Sequence, residues 1–401
     1  MAALLTFLSE PGRKQLPSPS GGVTGTTLAN ARVVLADEVR EGWLTIEDGR
    51  ITHVGRGAAP RDGVDLGGRY VLPGFVDIHH HGGAGGSYPA ADAEQALTAA
   101  RFHLGHGTTT CVASLVTASP RELSAAVATL AELCDDGVFA GIHLEGPYIS
   151  AARCGAHDPA LLRDPDAAEL AALIETGRGH VRMLTIAPEL PGALDVIRFA
   201  TGHGVIAALG HSDADYERTR AGVEAGGTVA THLFNALPPL HHRSPGPIAA
   251  LLEDERVTVE LINDGVHVHP AMLRLAHAAA GPGRVALITD AMAAAGLGDG
   301  AYRLGPMHVE VSGGVARLTE GGAIAGSTLT MDVAFRRTVR QVGLSLPEAA
   351  RAAALTPARV LGVADRVGSI AAGKDADLVV LSDDLRVEAV MRKGAWAVPP
   401  Q

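Results

Sequence analysis

The sequence predicts an α/β protein: a (β/α)8 barrel of the TIM type that carries a small β-sandwich domain built from both chain ends. Three observations lead to this prediction. The chain has 401 residues, which exceeds one small domain and fits a barrel plus a small additional domain. Its middle part alternates short apolar runs with Ala/Leu-rich helical stretches, and its two ends have β character. Eight such alternations in roughly 290 residues match a barrel in number and size.

The two chain ends share a β texture. Before residue 73 the segments ARVVLAD, GWLTIEDG and RITHVG alternate apolar and polar residues between Gly and Asp turns. Near the other end, GSIAAGKDADLVVLS and VEAVMRKGAW repeat this pattern. We therefore expect 23–72 and 364–401 to form one small β-domain. Residues 1–22, which end in PSPSGG, are expected to be a disordered tail.

The middle range, 73–363, contains the candidate barrel strands. Helix-like segments between them include 91–103, 121–133 and 214–225. An open doubly wound sheet is the alternative, but it would need a Gly-rich nucleotide loop after its first strand, and HHHGGAGG contains no GxGxxG there. The candidate strands are GFVDIHHH, TTTCVASL, FAGIHLEG, VRMLTIAPE, GVIAALGHS, GTVATHLF, RVTVELIND and RVALITDA.

Composition and charge exclude several classes of function. The formal net charge is -11, from 33 Lys and Arg against 44 Asp and Glu, and no basic stripe could follow a phosphate backbone. We therefore expect no nucleic-acid partner. No apolar run reaches membrane-spanning length, so we expect no membrane partner. The 3 cysteines have no paired spacing, which indicates a reducing, cytoplasmic location rather than a disulfide framework.

Two histidines end the first candidate strand. Residues two apart on a strand point to the same side, so His79 and His81 can both face the barrel mouth while His80 points away. Two imidazoles at this spacing are half of a metal site. An isolated pair of this kind could equally be packed core histidines or part of a turn.

Polar residues also end four other candidate strands, and these ends meet at one face of a barrel. The residues are Glu145, His211, His232 and Asp290. Buried carboxylates need a cation nearby, so the combined set predicts a metal site. Ligands of this N/O type suit Zn²⁺, Fe²⁺, Mn²⁺ or similar ions such as Co²⁺. Such an ion lowers the pKa of bound water, and a nearby carboxylate can move the proton, which predicts metal-assisted hydrolysis of an amide or related bond.

Seven segments resemble one known family. They are PGFVDIHHHGG, HLEGPY, GHSDA, THLFNA, NDGVHV, ITDAM and AGSTLTMD, and from about residue 31 to the C-terminus the chain resembles the N-acetylglucosamine-6-phosphate deacetylases of the amidohydrolase superfamily. The resemblance implies a barrel with a small β-domain, usually a homodimer, and a role in cytoplasmic amino-sugar metabolism. It also implies one or two divalent ions per subunit, with Zn²⁺ as the first candidate. The implied reaction removes acetate from N-acetyl-D-glucosamine 6-phosphate and gives glucosamine 6-phosphate.

The resemblance also assigns roles to the residues at the strand ends. Glu145, His211 and His232 match the core metal ligands of the family. His79 and His81 match positions that would hold a second ion, with Glu145 bridging and Asp290 close to it. Asp290 matches the catalytic acid/base that activates the hydrolytic water and protonates the leaving amine.

The other matched positions concern the substrate. His157 matches a histidine that contacts substrate and helps to polarise the amide carbonyl, and His267 matches a histidine near the sugar or phosphate. Arg243 matches an arginine that the neighbouring subunit supplies to the phosphate, for which a planar donor fork is suited. The remaining matched positions are Ala156 in the loop 153–159, Asn235 and Ala236 in the loop that cradles the phosphate, and Ile324 in the apolar wall near the acetyl group.

Three alternative functions stay open at the level of sequence. The first is a deacetylase for N-acetylgalactosamine 6-phosphate or another acylamino sugar, with the same metal chemistry. The second is a different amidohydrolase, acting on a cyclic amide or an acyl amino acid. The third is a non-enzymatic scaffold on a degenerate barrel, against which the intact set of candidate ligands argues.

Overall fold

A computed structural model describes residues 25–60 and 62–400 of the chain. The predicted disordered tail, 1–22, lies outside these residues. The two ends of the described part of the chain lie in one mixed sheet. Its strands are β1 (Thr26–Val34), β2 (Val39–Glu47), β3 (Arg50–Arg56), β4 (Val64–Asp65) and β5 (Tyr70–Pro73) from the first end, and β19 (Leu378–Leu381), β20 (Val387–Arg392) and β21 (Ala395–Val398) from the other.

The strand order of this sheet joins the two chain ends. The order is β21-β20-β19-β5-β1-β2-β3, with β4 beside β1. β5 and β19 run antiparallel, and Val71 lies opposite Val380. Apolar residues on the inner face, including Leu28, Leu44 and Leu378, form a separate buried cluster. Alternate residues of β19 face this cluster and the core of the barrel, since Leu378 and Val380 belong to the first and Val379 and Leu381 to the second.

Eight parallel strands form a nearly closed barrel in which neighbours along the chain are neighbours in space. A short hairpin, β7 (Gly82–Gly83) and β8 (Gly86–Ser87), follows the first barrel strand. The barrel strands are β6 (Phe75–His80), β9 (Thr108–Leu115), β10 (Gly141–Glu145), β11 (Val181–Ile186), β12 (Ile206–Leu209), β13 (Gly227–Ala230), β14 (Thr258–Ile262) and β15 (Val285–Ile288).

A helix follows each barrel strand and covers the outside of the barrel. These helices are α1 (Ala93–Gly105), α2 (Pro120–Asp135), α3 (Ala167–Thr176), α4 (Ala193–Gly202), α5 (Tyr216–Glu224), α6 (Gly246–Glu253), α7 (Pro270–Ala280) and α8 (Met331–Arg337), and two short helices, α9 (Leu346–Ala350) and α10 (Thr356–Val360), lead back to the small sheet. Their starts follow capping rules: Ser119 forms a capping box with Glu122, and Pro120 occupies the first turn of α2.

The first and last barrel strands are joined by a buried carboxylate. Asp77 of β6 accepts a hydrogen bond from the Thr289 hydroxyl, with 2.5 Å between the oxygens, and from the Thr289 backbone N–H at 3.3 Å. The backbone N–H of Asp290 donates to the carbonyl of His79 at 2.9 Å. These bonds close the barrel next to the residues predicted to bind metal, because Asp290 and His79 are two of them.

A three-stranded antiparallel sheet interrupts the last strand–helix unit. It consists of β16 (Gly300–Leu304), β17 (Met307–Ser312) and β18 (Val315–Leu318), and it lies between β15 and α8 in the chain. Leu304 and Val309 of this insertion pack against Val116 and Met292 from the barrel loops. The sheet therefore stands over the carboxyl ends of the barrel strands.

The predicted fold class is confirmed: eight parallel strands make a TIM-like barrel, and a separate sheet is drawn from both chain ends. The eight candidate strands of the sequence all correspond to barrel strands. In the described part of the chain, every helix is too short or too polar to cross a membrane.

Candidate active site

The carboxyl ends of five barrel strands bring the six predicted ligands together. His211, His232 and Asp290 lie just after the ends of their strands with positive φ values of 47°, 25° and 50°. This backbone conformation is uncommon for residues with a Cβ and recurs at functional sites, where the surrounding structure holds it. The strands that position the ligands are β6 for His79 and His81, β10 for Glu145, β12 for His211, β13 for His232 and β15 for Asp290.

Glu145 lies at the centre of this arrangement. Its Oε1 atom is 3.1 Å from the Nε2 atoms of both His211 and His232, and 3.4 Å from Nε2 of His79. Its Oε2 atom is 3.3 Å from Nε2 of His81. The two oxygens of one buried carboxylate therefore face four imidazoles from three different strands.

The ligand atoms fall into two groups, and the atoms within each group lie within 4.8 Å of one another. Asp290 belongs to the second group, since its Oδ1 atom is 3.2 Å from Nε2 of His81 and 3.7 Å from Nε2 of His79. The groups are Glu145, His211 and His232, and His79, His81 and Asp290.

The outer nitrogens of two of these histidines fix how their rings are protonated. Nδ1 of His211 donates to the backbone carbonyl of Arg153 at 2.8 Å, and Nδ1 of His81 donates to the carbonyl of Ser114 at 3.1 Å. Because a carbonyl only accepts, Nδ1 carries the proton, and the Nε2 lone pair points inward towards the carboxylates.

Such a ring of inward lone pairs fits a bound cation. Nε2 of His211 and Nε2 of His232 are 3.0 Å apart, and both face the negatively charged Glu145. Without a positive charge between them these atoms repel one another. Ligands held about 2.1 Å from a tetrahedral ion lie roughly 3.4 Å apart, close to these separations. The residues present therefore suit a divalent ion with N/O ligands.

The pKa values of the site also indicate that its carboxylates are stabilised by positive charge. Burial alone would lower the pKa of His81, but hydrogen bonds to Asp290 and Glu145 outweigh it and raise the pKa to about 9. Burial alone would raise the pKa of Glu145, but the charge of His79 and the hydrogen bonds from the surrounding imidazoles hold it well below its usual range. The pKa of Asp290 is likewise lowered, against burial, by His81. Asp290 is thus a carboxylate that can accept a proton.

His157 has the opposite protonation pattern. Its Nδ1 atom accepts the backbone N–H of Thr117 at 3.2 Å, so the ring proton of the neutral form lies on Nε2. Burial lowers the pKa of His157 to about 4, which keeps the ring neutral near pH 7. Nε2 lies 3.4 Å from Oε2 of Glu145. His157 therefore offers an N–H donor beside the ligands rather than a metal-binding lone pair.

A cavity of about 240 Å³ opens above the ligands. His79 lies beneath its floor and Arg243 on an exposed loop outside it, but the other predicted site residues all line it. A larger cleft of about 830 Å³ lies on the small domain, and the described residues that line it include no histidine. The lining residues of the smaller cavity are His81, Glu145, Gly155, Ala156, His157, His211, His232, Asn235, Ala236, His267, Asp290, Leu304, Ala323, Ile324 and Gly326.

His267 is held at one end of this cavity by a carboxylate. Its Nδ1 atom is 2.6 Å from Oδ2 of Asp264, whose other oxygen accepts the backbone N–H groups of Val266 and His267. Burial alone would lower the pKa of His267, but Asp264 outweighs it and raises the pKa. The free Nε2 side of the ring is thus an N–H donor with a tendency to positive charge.

Comparison with known proteins agrees with this geometry. Residues 70–397 match the amidohydrolase family. The chain belongs to the amidohydrolase family. The confirmed membership covers the whole barrel and the strands of the small sheet from β5 onwards.

Several relatives of this amidohydrolase carry the name expected from the sequence. An N-acetylglucosamine-6-phosphate deacetylase of Vibrio furnissii is 39% identical over 83% of this chain and 84% of its own length. An N-acetylgalactosamine-6-phosphate deacetylase of Escherichia coli O157:H7 is 38% identical over 93% of this chain and 99% of its own length. A mutant N-acetyl-D-glucosamine-6-phosphate deacetylase of Mycobacterium smegmatis, solved with N-acetyl-D-glucosamine-6-phosphate, is 49% identical with a TM-score of 0.91, over 94% of this chain and 100% of that one.

Sequence reasoning missed three residues that shape the site. Glu260 lies inside the barrel in β14, and its Oε2 atom is 3.1 Å from Nδ1 of His79. The available signal was a single acidic residue within the apolar run VTVELI. Leu304 and Ala323 enter the cavity wall because the inserted sheet folds over the barrel, and no local pattern in the sequence pointed to that placement.

We predict that removal of divalent ions lowers the stability of this amidohydrolase, because the inward lone pairs and carboxylates then lack their counter-charge. A ligand present at a thousand times its Kd stabilises by about 4 kcal/mol. Thermal unfolding should therefore show a lower Tm after dialysis against EDTA, and added Zn²⁺ should restore it. The variant His211→Ala is the control and should respond much less. An unchanged Tm in protein that elemental analysis shows to be ion-free would contradict the metal site.

Proposed function

We propose that this amidohydrolase hydrolyses the acetamide of N-acetyl-D-glucosamine 6-phosphate to acetate and glucosamine 6-phosphate. The observation that carries the proposal is the joint presence, in one 240 Å³ cavity, of the Glu145-centred ligands, the carboxylate of Asp290 and the N–H donor of His157. The identity of 49% with the Mycobacterium smegmatis deacetylase, whose structure holds this sugar phosphate, supports the choice of substrate.

Asp290 and His157 are proposed to have different roles in the hydrolysis. A divalent ion bound by these ligands supplies Lewis-acid polarisation and makes water acidic at neutral pH. Asp290 takes the proton as the water oxygen adds to the amide carbon. His157 donates a hydrogen bond from its Nε2–H to the carbonyl oxygen, which becomes negative in the transition state. Asp290 then returns the proton to nitrogen as the C–N bond breaks, and acetate and the free amine result.

The phosphate end is proposed to lie against the loop after β13. φ is positive at His232, Phe234 and Ala236 (25°, 80° and 52°) and not at the residues between them. The N–H groups of Leu233 and Asn235 are donated to the carbonyls of Glu260 and His232, so the phosphate is proposed to accept from the N–H groups of Phe234 and Ala236. Asn235 lines the same part of the cavity. His267, whose pKa is raised by Asp264, adds an Nε2–H donor.

The acyl end is proposed to lie against the inserted sheet. Ile324, Leu304 and Ala323 line the cavity, and Leu304 belongs to the buried apolar cluster of the insertion. A wall of this kind suits a methyl group and limits the space for longer acyl chains.

Release of acetate from N-acetylglucosamine 6-phosphate by the purified protein tests this function. We expect activity to disappear after chelation and to return with Zn²⁺, Mn²⁺ or Fe²⁺. The unphosphorylated sugar should be a poor substrate because it cannot use the anion-binding loop. Equal rates on both sugars would contradict the phosphate site, and no release from either would discard the substrate.

A second candidate substrate is N-acetylgalactosamine 6-phosphate, since the Escherichia coli relative named for it aligns over 93% of this chain and 99% of its own length. The values of kcat/KM for the two epimers, measured side by side, decide between them. We expect the glucosamine epimer to be preferred, and a higher kcat/KM for the galactosamine epimer would reverse the assignment.

The substitution Asp290→Asn should abolish turnover and leave the fold intact. An amide of the same shape cannot take the proton from water, so we expect kcat to fall by at least about 10²-fold. Circular dichroism and elemental analysis serve as controls for the fold and for the ions at Glu145, His211 and His232. Near-normal kcat in this variant would refute the acid/base role.

We also propose a homodimer in which Arg243 serves the neighbouring cavity. Arg243 lies outside its own cavity, beside His242, on a loop that also exposes Leu240 with 45% of its surface accessible. Val266, adjacent to the cavity residue His267, is 41% exposed. Exposed apolar side chains of this kind are suited to contact with a second copy.

Subunit complementation tests this arrangement. The variants Arg243→Ala and Asp290→Asn should each have low activity on the phosphorylated sugar. In mixed dimers one subunit keeps Asp290 and receives Arg243 from the other, so random mixing should restore roughly a quarter of the sites. No gain on mixing, in dimers shown to exchange subunits, would mean that Arg243 does not act across the interface.

A further inference from the structure

Glu260 contacts ligands from two different strands of the site. Its Oε2 atom accepts Nδ1–H of His79 at 3.1 Å and the backbone N–H of His232, also at 3.1 Å. Its own backbone carbonyl accepts the N–H of Leu233 at 2.9 Å. One residue of β14 therefore fixes both the ring of His79 and the start of the loop that carries His232.

The carboxylate of Glu260 is fully buried and incompletely paired. None of its surface is accessible, and its Oε1 atom has no hydrogen-bond partner among the described residues. No Lys or Arg in the described part of the chain forms an ion pair with it. A buried carboxylate with so little compensation is costly unless positive charge lies close by.

A charge balance indicates how much positive charge the site needs. Three buried carboxylates contact the imidazole rings of the ligand histidines, namely those of Glu145, Asp290 and Glu260. One divalent ion beside neutral imidazoles leaves this set negative by one charge. Two divalent ions leave it positive by one, which suits a site that binds an anionic substrate.

We propose that Glu260 is a positioning residue that holds His79 for a second divalent ion, so that this chain binds two ions per subunit. The first ion would lie at Glu145, His211 and His232, and the second at His79, His81 and Asp290. Glu260 keeps the proton of His79 on Nδ1 and aims Nε2 at Asp290 and Glu145. It also makes the Nε2 lone pair more basic and therefore a stronger metal ligand. The proposal rests on the metal-dependent function above, but it concerns ion number and not substrate.

Metal content and affinity of the intact protein, measured without substrate, test the proposal. The wild type should retain two Zn²⁺ per subunit by elemental analysis after equilibration with a weak chelator. Glu260→Gln should retain one, and competition titration should show the second ion bound about 10–100-fold more weakly. The affinity for the first ion should change much less, because the side chain of Glu260 does not contact the rings of His211 and His232.

Glu189→Gln is the matched control. It removes one carboxylate close to the ligand His211, where Glu189 accepts hydrogen bonds from Ser212 and the backbone N–H of Asp213, but it does not touch His79. We expect this variant to keep both ions. Loss of the second ion here as well would mean that general loss of negative charge, and not the contact with His79, controls binding.

Two results would overturn the proposal: a wild type that binds a single ion, or a Glu260→Gln variant that binds both with wild-type affinity. If that variant does not fold, Glu260→Asp replaces it. Its shorter side chain keeps the charge but not the reach to His79, so unchanged affinity for the second ion would contradict the positioning role. Because no substrate is present, these outcomes are independent of whether the proposed deacetylation is correct.

Discussion

The structure of the site depends on one buried carboxylate that has no Arg or Lys partner among the described residues. Glu145 is 3% exposed, and among the described residues its ion-pair partners are histidines only. A carboxylate at this depth is expensive to bury, and imidazoles in their neutral form would not supply the charge that offsets this cost. The position of Glu145 therefore makes sense only with a cation among these side chains, and the barrel provides it with ligands from separate strands.

The barrel contributes stiffness to this arrangement. Asp77 and the His79–Asp290 backbone bond close the first strand onto the last, so ligands that are 211 positions apart in the chain meet with fixed spacing. The left-handed backbone at His211, His232 and Asp290 costs free energy that the surrounding hydrogen bonds must offset. The loop 153–159 is joined to the loop after β12 as well, because the carbonyl of Arg153 orients His211 and the Arg153 side chain pairs with Asp213 at 2.8 Å.

Local patterns in the sequence predicted the barrel and the meeting of the ligands, since apolar runs of strand length ended in histidine or carboxylate and parallel strands end on one face. This pattern of strand ends did not predict the role of Glu260, because Glu260 lies within β14 and not at its end. Its role follows only from its contact with His79 in the folded structure. The inserted sheet was also beyond prediction: that Leu304 reaches the cavity depends on how a separate antiparallel unit packs on the barrel. The predicted roles of the site residues, and the neighbouring-subunit role of Arg243 in particular, stay predictions.

Anomalous X-ray diffraction from crystals grown with Zn²⁺, recorded at the zinc absorption edge, would locate an ion bound at Glu145. We expect an anomalous peak about 2.1 Å from a Glu145 oxygen and from the Nε2 atoms of His211 and His232. A fully refined site with no such peak at zinc saturation, in which protonated imidazoles alone neutralise Glu145, would contradict a metal ion at this site.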